Sequence, residues 1–192
     1  VDADGYLTES RIVGPLNGNE SQVFGLSPDF TLGCPPGYAS TAFFYDGFES
    51  GELGSSWDVY TTDVGRVRVS TDYPFEGSQS VLLDSAVDNT YSHSALVLTQ
   101  DLTAYSDVDL SFWWREFTDE NDGSDGMFIS DDYGVNWFQV FSFNDGVNTY
   151  QHESIDIDSV ASYYGLTLND HFQIKFQFYD NYPIGIDGYS VD

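Results

Sequence analysis

The run FQIKFQFY at residues 172–179 has the clearest structural pattern in this chain. Its apolar residues Phe172, Ile174, Phe176 and Phe178 alternate with polar ones. Successive side chains of a β-strand point to opposite faces of the sheet. The run therefore predicts a strand that buries one face in a hydrophobic core and turns the other toward solvent.

The same two-residue period recurs along the chain from about residue 43. Turn-rich clusters, NDGSDG at 121–126 and DDYG at 131–134, separate the runs, and only Asp158–Tyr164 has helical spacing. Many short strands between turns predict an all-β fold, an antiparallel β-sandwich of the jelly-roll type. The further strand-like runs are Val67–Val69, Ser80–Leu83, Ala95–Leu98, Val108–Phe117, Met127–Ile129, Trp137–Phe143 and Ile155–Ile157.

Residues 1–40 lack this alternation and hold four of the six prolines. We expect an N-terminal linker or edge extension over residues 1–40, with short strands near 12–13 and 23–24. A β jelly-roll module should follow over residues 41–192. A sandwich of this length commonly folds as a single domain.

The charge of the chain is extreme, with 32 Asp and Glu against 5 Lys and Arg and a formal net charge of -27. The 15 Phe, 14 Tyr and 4 Trp nevertheless supply ample apolar area for a packed core. Bound divalent cations or high external salt would relieve the repulsion among the acids. These features predict a folded, secreted protein, located outside the cell and of marine or halophilic origin.

The composition also argues against several partners. A strongly acidic surface repels nucleic acid and anionic membranes. No apolar run approaches the length of a membrane span, and a single cysteine, Cys34, cannot form an intrachain disulfide. We therefore expect no nucleic-acid partner, no membrane insertion, and one module of a larger secreted protein.

The eight residues SDDYGVNW at 130–137 match the Asp-box pattern S-x-D-x-G-x-x-W at each defined position. The Asp132 carboxylate and the Ser130 hydroxyl can accept hydrogen bonds from loop amides, and Gly134 permits a positive φ. The Trp137 ring can cover the turn. We expect a hairpin turn with a structural role, away from any ligand.

Three segments resemble MAM-like and reelin-like jelly rolls, which have a concanavalin-type sandwich. FFYDGFESG at 43–51, followed by Trp57, resembles their opening strand, and IDGYSVD at 186–192 resembles their last strand. DGMFIS at 125–130, leading into the Asp-box, resembles the central hairpin of reelin repeats. The resemblance spans residues 43–192. The paired cysteines usual in animal members are missing, which favours a microbial relative.

The resemblance also implies a metal site. In these families the first and last strands lie side by side, and acidic residues between them hold a structural calcium ion. Carried over by position, Asp46, Glu49 and Asp187 are the implied ligands, with Asp125 as a fourth. Calcium accepts six to eight oxygen ligands and tolerates alternative acids nearby. The competing interpretation is that some of the 32 acids fall near strand ends by chance.

The sequence holds little that indicates catalysis. His93, His152 and His171 lie in separate segments without a recognisable catalytic motif. Pairs of carboxylates could hydrolyse glycosides in principle, but such pairs are unavoidable in so acidic a chain. We expect a protein that is not an enzyme.

Exposed aromatic residues are the candidates for ligand binding. Alternation sends Trp113 and Trp114 to opposite faces of one strand, so at least one of them leaves the core. Tyr179 and Tyr182 offer further rings that could stack on sugars. Ordinary packing under a loop or against a neighbouring domain is the alternative interpretation for each ring.

Two functions follow from these expectations. The leading hypothesis is a non-catalytic, calcium-stabilised extracellular module that binds a neutral polysaccharide, since an uncharged ligand suits the acidic surface. The alternative is a structural, adhesion or protein-interaction module that contacts another protein domain and binds no small molecule. The C-terminal domain of a secreted peptidase would be an example.

Overall fold

The computed structural model describes residues 22–25, 41–117, 122–143 and 148–192. These residues form twelve strands and one short helix, and the strands make a seven-stranded and a five-stranded sheet. The prediction of an all-β sandwich is confirmed. The elements are β1 (Gln22–Gly25), β2 (Thr41–Tyr45), β3 (Trp57–Thr61), β4 (Gly65–Ser70), β5 (Ser80–Ser85), β6 (Ser92–Gln100), β7 (Val108–Glu116), β8 (Gly126–Ser130), β9 (Phe138–Ser142), β10 (Gln151–Asp156), α1 (Ile157–Tyr164), β11 (Phe172–Asp180) and β12 (Tyr189–Val191).

The larger sheet has the strand order β2-β1-β7-β12-β5-β4, with β10 also paired to β7. The smaller sheet has the order β3-β6-β11-β8-β9. Pairing is antiparallel except at β1, which runs parallel to both β2 and β7. Residues 22–25 of the predicted linker thus contribute a strand to the larger sheet. The other expectations for residues 1–40 lie outside the described residues.

The hydrophobic core lies between the two sheets. Phe172, Ile174, Phe176 and Phe178 of β11 all face it, and none is more than 1% exposed. The ring of Phe176 meets Phe112 of the opposite sheet edge-to-face, with 5.1 Å between centroids. The alternation of residues 172–179 therefore predicted the buried side of this strand correctly.

Strand β5 is buried on both sides, because loops cover its outer face. Ser80 Oγ donates to the carbonyl of Asp72 in one loop, and Ile184 N in another loop donates to Asp84 Oδ2, at 2.7 Å. Polar side chains in this strand therefore lie in the interior with their hydrogen bonds made, as buried polar groups require.

The helix α1 confirms the helical spacing at residues 158–164. The Asp156 carboxylate caps its start by accepting from Ser159 N at 2.8 Å, and Gly165 ends it with a φ of 73°. That left-handed conformation favours glycine because it has no Cβ. In the described part of the chain, no helix is long and apolar enough to cross a membrane.

Candidate functional site

The outer face of the five-stranded sheet brings together polar and aromatic side chains. Residues directly opposite in an antiparallel pair point to the same side. The registers therefore align one outward row across all five strands, made of Asp58, Val97, Lys175, Phe128 and Gln139. Lys175 occupies the middle of that row.

Neighbouring rows extend this surface along the strands. Tyr60, Ala95 and Gln177 share one adjacent row, and His93 opposes Tyr179 in the next. We call this surface the Lys175 face. It consists of the outward residues of β11 and their neighbours on the other four strands and the β8–β9 turn, namely Asp58, Tyr60, His93, Ala95, Val97, Thr99, Phe128, Trp137, Gln139, Gln173, Lys175, Gln177 and Tyr179.

The ammonium group of Lys175 lies against two aromatic rings. It is 4.3 Å from the ring centroid of Trp137 and 4.8 Å from that of Phe128, within the range of cation–π attraction. Among the described residues, the ion pairs join arginine or histidine to aspartate, and none involves Lys175. Burial lowers the pKa of Lys175 to about 8, so the amine is still mainly protonated at pH 7.

One end of the Lys175 face is aromatic. The rings of His93 and Tyr179 lie 4.8 Å apart, and Tyr60 beside them is 56% exposed. Burial is the largest cause that lowers the pKa of His93, and the charge of Lys175 lowers it further, whereas the hydrogen bond that the ring makes with Gln177 raises it. His93 is therefore neutral at pH 7.

Three glutamine side chains give the face fixed polar groups. Gln173 Nε2 donates to Thr99 Oγ1 at 3.1 Å, and Gln177 Nε2 donates to the carbonyl of Ser124 at 3.0 Å. Gln139 Nε2 donates to a neighbouring loop carbonyl, also at 3.0 Å. These bonds hold the amides in place, so a ligand would meet preorganised hydrogen-bonding groups.

The hairpin turn at residues 130–137 positions one ring of the face. Ser130 Oγ donates to Asp132 Oδ1 at 2.9 Å and accepts from Gly134 N at 3.0 Å. Hydrogen bonds from Asn136 are the main cause that lowers the pKa of Asp132. Gly134 has a φ of 76°, and the Trp137 ring packs so closely that a Cβ on this glycine would lie 2.9 Å from it. Membership of the Asp-box class stays a prediction from sequence.

The four predicted ligand residues do not share one surface. Tyr179 lies on the Lys175 face, but Trp114 is 1% exposed in the core, and its assignment as a ligand platform is wrong. Trp113 lies on the outer side of the other sheet, stacked on Phe75 with centroids 3.8 Å apart. Tyr182 lies in the loop after β11, where its hydroxyl donates to Asn89. The alternation correctly predicted that the two tryptophans point to opposite faces of one strand, but it did not predict which of them lies in the core.

The predicted metal ligands of the opening segment have protein partners. Asp46 accepts hydrogen bonds from Phe48 N and from Trp57 Nε1, each at 2.9 Å. Glu49 Oε1 accepts from two successive backbone amides, those of residues 78 and 79, each at 2.9 Å. The resemblance placed this segment beside the last strand. In the observed strand order, β1 and β7 stand between β2 and β12.

The two other predicted metal ligands lie near the C-terminal end of β11. Asp125 Oδ1 accepts from Tyr179 N at 2.8 Å, and Asp187 Oδ2 accepts from Asn181 N at 3.2 Å. Across residues 22–25, 41–117, 122–143 and 148–192, no three His, Cys, Asp or Glu side chains cluster closely enough to hold a metal ion. The structure therefore does not assemble the four predicted ligands into one group.

Asp192 is an acidic residue that the sequence analysis missed. Its carboxylate accepts hydrogen bonds from Phe75 N at 2.7 Å and from Glu76 N at 3.1 Å. Burial, followed by the charges of Glu49 and Glu76, raises the pKa of Asp192 to about 6 against the bonds from those two amides. Glu49 and Asp192 thus approach the same loop, residues 75–79. The segment IDGYSVD contains both Asp187 and Asp192, and spacing alone does not separate them.

The three histidines lie on separate surfaces. His93 belongs to the Lys175 face, and His152 lies on the outer side of the larger sheet with its Nε2 2.8 Å from Ser111 Oγ. His171 stacks on Tyr133 with ring centroids 3.9 Å apart. They do not form one cluster.

No protein-family model matches the chain, and no curated protein matches its sequence. Several solved structures of carbohydrate-binding modules have a similar fold. TmCBM61, solved with β-1,4-galactotriose, is 17% identical, with 76% of this chain and 89% of that chain covered and a TM-score of 0.45. A promiscuous module of the β-sandwich superfamily is 16% identical, with 80% and 63% covered and a TM-score of 0.48. The family 11 module of a Clostridium thermocellum cellulase is 12% identical, with 73% and 86% covered and a TM-score of 0.41. Such values do not transfer the function of those domains to this chain.

Proposed function

We propose that this chain is a non-catalytic module that binds a neutral polysaccharide on the Lys175 face. The observation that carries the proposal is the composition of this face. Ring systems, fixed amides and one ammonium lie side by side on the outer side of the five-stranded sheet, while acidic side chains dominate the composition of the chain. Binding sites typically combine aromatic surface with a few precisely placed polar groups.

The chemistry of a sugar matches both the aromatic rings and the polar groups of this surface. The C–H faces of a pyranose ring pack against aromatic rings, and its hydroxyl groups both donate and accept hydrogen bonds. Tyr60 and Tyr179 offer rings at one end of the face, and the amides of Gln173 and Gln177 lie along the same strand. Asp58 is the one carboxylate in the central row, at its edge. A neutral ligand avoids repulsion by the net charge of -27.

Substitutions on this face are expected to weaken glycan binding. The ligands named for the similar structures, a β-1,4-galactotriose and a β-1,3-1,4-mixed-linked tetrasaccharide, form a starting panel together with xylan. For the glycan that binds, Tyr179→Ala and Gln177→Ala should each weaken binding about tenfold, because each removes about 1.4 kcal/mol of ring or hydrogen-bond contact. Titration calorimetry measures the Kd of each variant.

The matched control is Tyr163→Ala on α1. This tyrosine is 83% exposed and lies outside the Lys175 face, so its loss should leave the Kd unchanged. Failure of a broad glycan panel at millimolar concentration would contradict the proposal and favour the protein-interaction alternative. An equal loss in Tyr163→Ala and Tyr179→Ala would show that the ligand does not use this face.

We also propose that calcium stabilises the fold, with Glu49 and Asp192 among its ligands. Two carboxylates near one loop, in a chain of charge -27, suit a hard cation that prefers oxygen ligands. Burial and the charges of Glu49 and Glu76 raise the pKa of Asp192, so its ionised form would be stabilised by a nearby cation, which supports the assignment. Calcium bound to the native state would supply that positive charge.

Calcium should raise the thermal unfolding midpoint by about 5–10 °C at roughly one hundred times its Kd. Differential scanning calorimetry in EGTA and after calcium addition measures the shift, with magnesium and matched ionic strength as controls. Glu49→Gln and Asp192→Asn should abolish it, whereas Asp46→Asn and Asp187→Asn should retain it. Loss of the shift in Asp187→Asn alone would instead favour the ligand set implied by the resemblance. A calcium effect no larger than that of matched salt would contradict a specific calcium site in this protein.

A further inference from the structure

Lys175 lies apart from the arginine residues whose contacts the structure describes. It is the single lysine among 192 residues, and it lies in the middle of the central row of the Lys175 face. Arg66 and Arg68, in contrast, both pair with Asp84 on the opposite sheet. Arg115 lies over the ring of Phe117, also away from this face.

The surroundings of Lys175 hold its ammonium group without neutralising it. Val97 and Phe128 flank it across the strands, and Gln173 and Gln177 flank it along β11. The charged or titratable groups on the same side of the strands around it are His93 of β6, which is neutral at pH 7, Tyr179 of β11, and Asp58 and Tyr60 of the edge strand β3. Burial is the single cause that shifts its pKa, with no carboxylate opposing it. A half-buried ammonium has lost part of its water and gains most from a new acceptor oxygen.

We infer that Lys175 determines the specificity of the proposed glycan site by donating hydrogen bonds from its ammonium group to oxygen atoms of the ligand. The inference rests on the proposed function. Trp137 and Phe128 act as supports, because their ring faces are already engaged by the ammonium group. Tyr60 and Tyr179, at the other end of the face, are then the rings that stack on the sugar.

The inference defines a chemical class of ligand. An ammonium group donates and cannot accept, so the sugar must present acceptor oxygens at this point. A site built to hydrogen-bond a hydroxyl rejects an analogue without it, because the buried donor is left unpaired. Among glycans that bind, those with a deoxy position facing Lys175 should therefore bind much more weakly than their hydroxylated counterparts.

Proton linkage predicts the direction in which glycan affinity changes with pH. If ligand oxygens accept from the ammonium, the bound protein holds its proton more tightly, and affinity should fall as pH rises through the pKa of about 8. If the ligand merely covers Lys175, added desolvation would disfavour the charged form, and affinity would rise over the same range. The two arrangements predict opposite slopes.

The experiment measures the Kd of the best glycan from pH 6.5 to pH 9.5 by titration calorimetry, for wild type, Lys175→Met and Lys175→Gln. Wild-type affinity should fall at least fivefold across this range. Lys175→Met should bind more than tenfold more weakly at pH 7 with no pH dependence, and Lys175→Gln, which keeps a donor, should bind with intermediate affinity. Circular dichroism at each pH confirms folding.

The outcomes separate the two proposals. If wild type binds no glycan of the panel, the proposed function is contradicted, and the inference about Lys175, which rests on it, is contradicted as well. If wild type binds but tightens above pH 8, or if Lys175→Met binds as wild type does, the glycan site stands and the role of Lys175 is overturned. A Trp137→Phe variant that keeps near-normal affinity would agree with a supporting role, and a loss as large as that of Lys175→Met would contradict it.

Discussion

Phe143→Ala is expected to lower the free energy of unfolding by about 4 kcal/mol, within the range observed when a buried phenylalanine is truncated. Phe143 has 0% exposure, and its ring contacts aromatic residues from both sheets. The centroid distances are 4.8 Å to Trp114, 4.9 Å to Phe178 and 5.8 Å to Tyr189. Alanine would leave a cavity that rings on rigid strands cannot close. Urea denaturation at constant pH and salt measures the loss.

Phe143→Leu separates the cavity from the loss of the ring. Leucine keeps much of the volume, so we expect a cost of about 1–2 kcal/mol, since volume-conserving exchanges are tolerated better. Tyr163→Ala on α1 is the exposed control and should change stability by less than about 0.5 kcal/mol. A similar small change for Phe143→Ala would mean that the neighbouring rings collapse into the space, which would contradict a rigid aromatic core.

Asp84→Ala should destabilise the fold by about 3 kcal/mol. The Asp84 side chain is fully buried, and it accepts from Arg66 Nε at 2.9 Å, from Arg68, and from Ile184 N at 2.7 Å. Removing one side of a buried, hydrogen-bonded ion pair is costly because the remaining groups lose their partners. The arginines reach solvent in part, which places the cost at the lower end of the usual range. Equilibrium unfolding in urea provides the measurement.

Conservative variants test whether charge or geometry stabilises this cluster. Asp84→Asn retains an acceptor for Ile184 N but removes the charge, so its cost should be smaller than that of Asp84→Ala. Arg66→Gln should cost less than either, because Arg68 still pairs with the carboxylate. If Asp84→Ala left the free energy of unfolding unchanged, the surrounding loops would have to rearrange and let water reach both arginines. A crystal structure or hydrogen exchange of the variant would reveal that rearrangement.

Strand identity was largely predictable, and the exceptions have a common cause. Residues 172–179 alternate strictly, and their apolar side chains are the ones found in the core. Strand β3 gave no such signal, since Trp57 is buried while the next four residues are exposed at a sheet edge. Strand β1 confirms the short strand predicted near residues 23–24, but its parallel pairing with β2 and β7 depends on strands distant in sequence. Periodicity reports burial of one face, and a strand without that contrast leaves little trace.

The candidate site was less accessible to sequence reasoning. Tyr179 was predicted to be available to a ligand and lies on the Lys175 face, whereas Trp114 faces the core. Lys175 was expected only on the solvent side of its strand. Its importance comes from Phe128 and Trp137, which lie about 40 residues earlier in the sequence. Asp192 was missed for the same reason, because its partners at residues 75 and 76 are remote in sequence.

The amino-acid sequence alone determined the fold class, the buried side of its strongest strands, the short helix and the extreme charge. These properties depend on the order of neighbouring residues and on composition, which the chain carries before it folds. Strand order and register depended on the tertiary structure, because many pairings satisfy the same alternation. Only the folded sandwich decided that one lysine would meet two aromatic rings, and that Trp113 and Tyr179 would lie on different sheets. A binding surface made from five strands is a property of their packing.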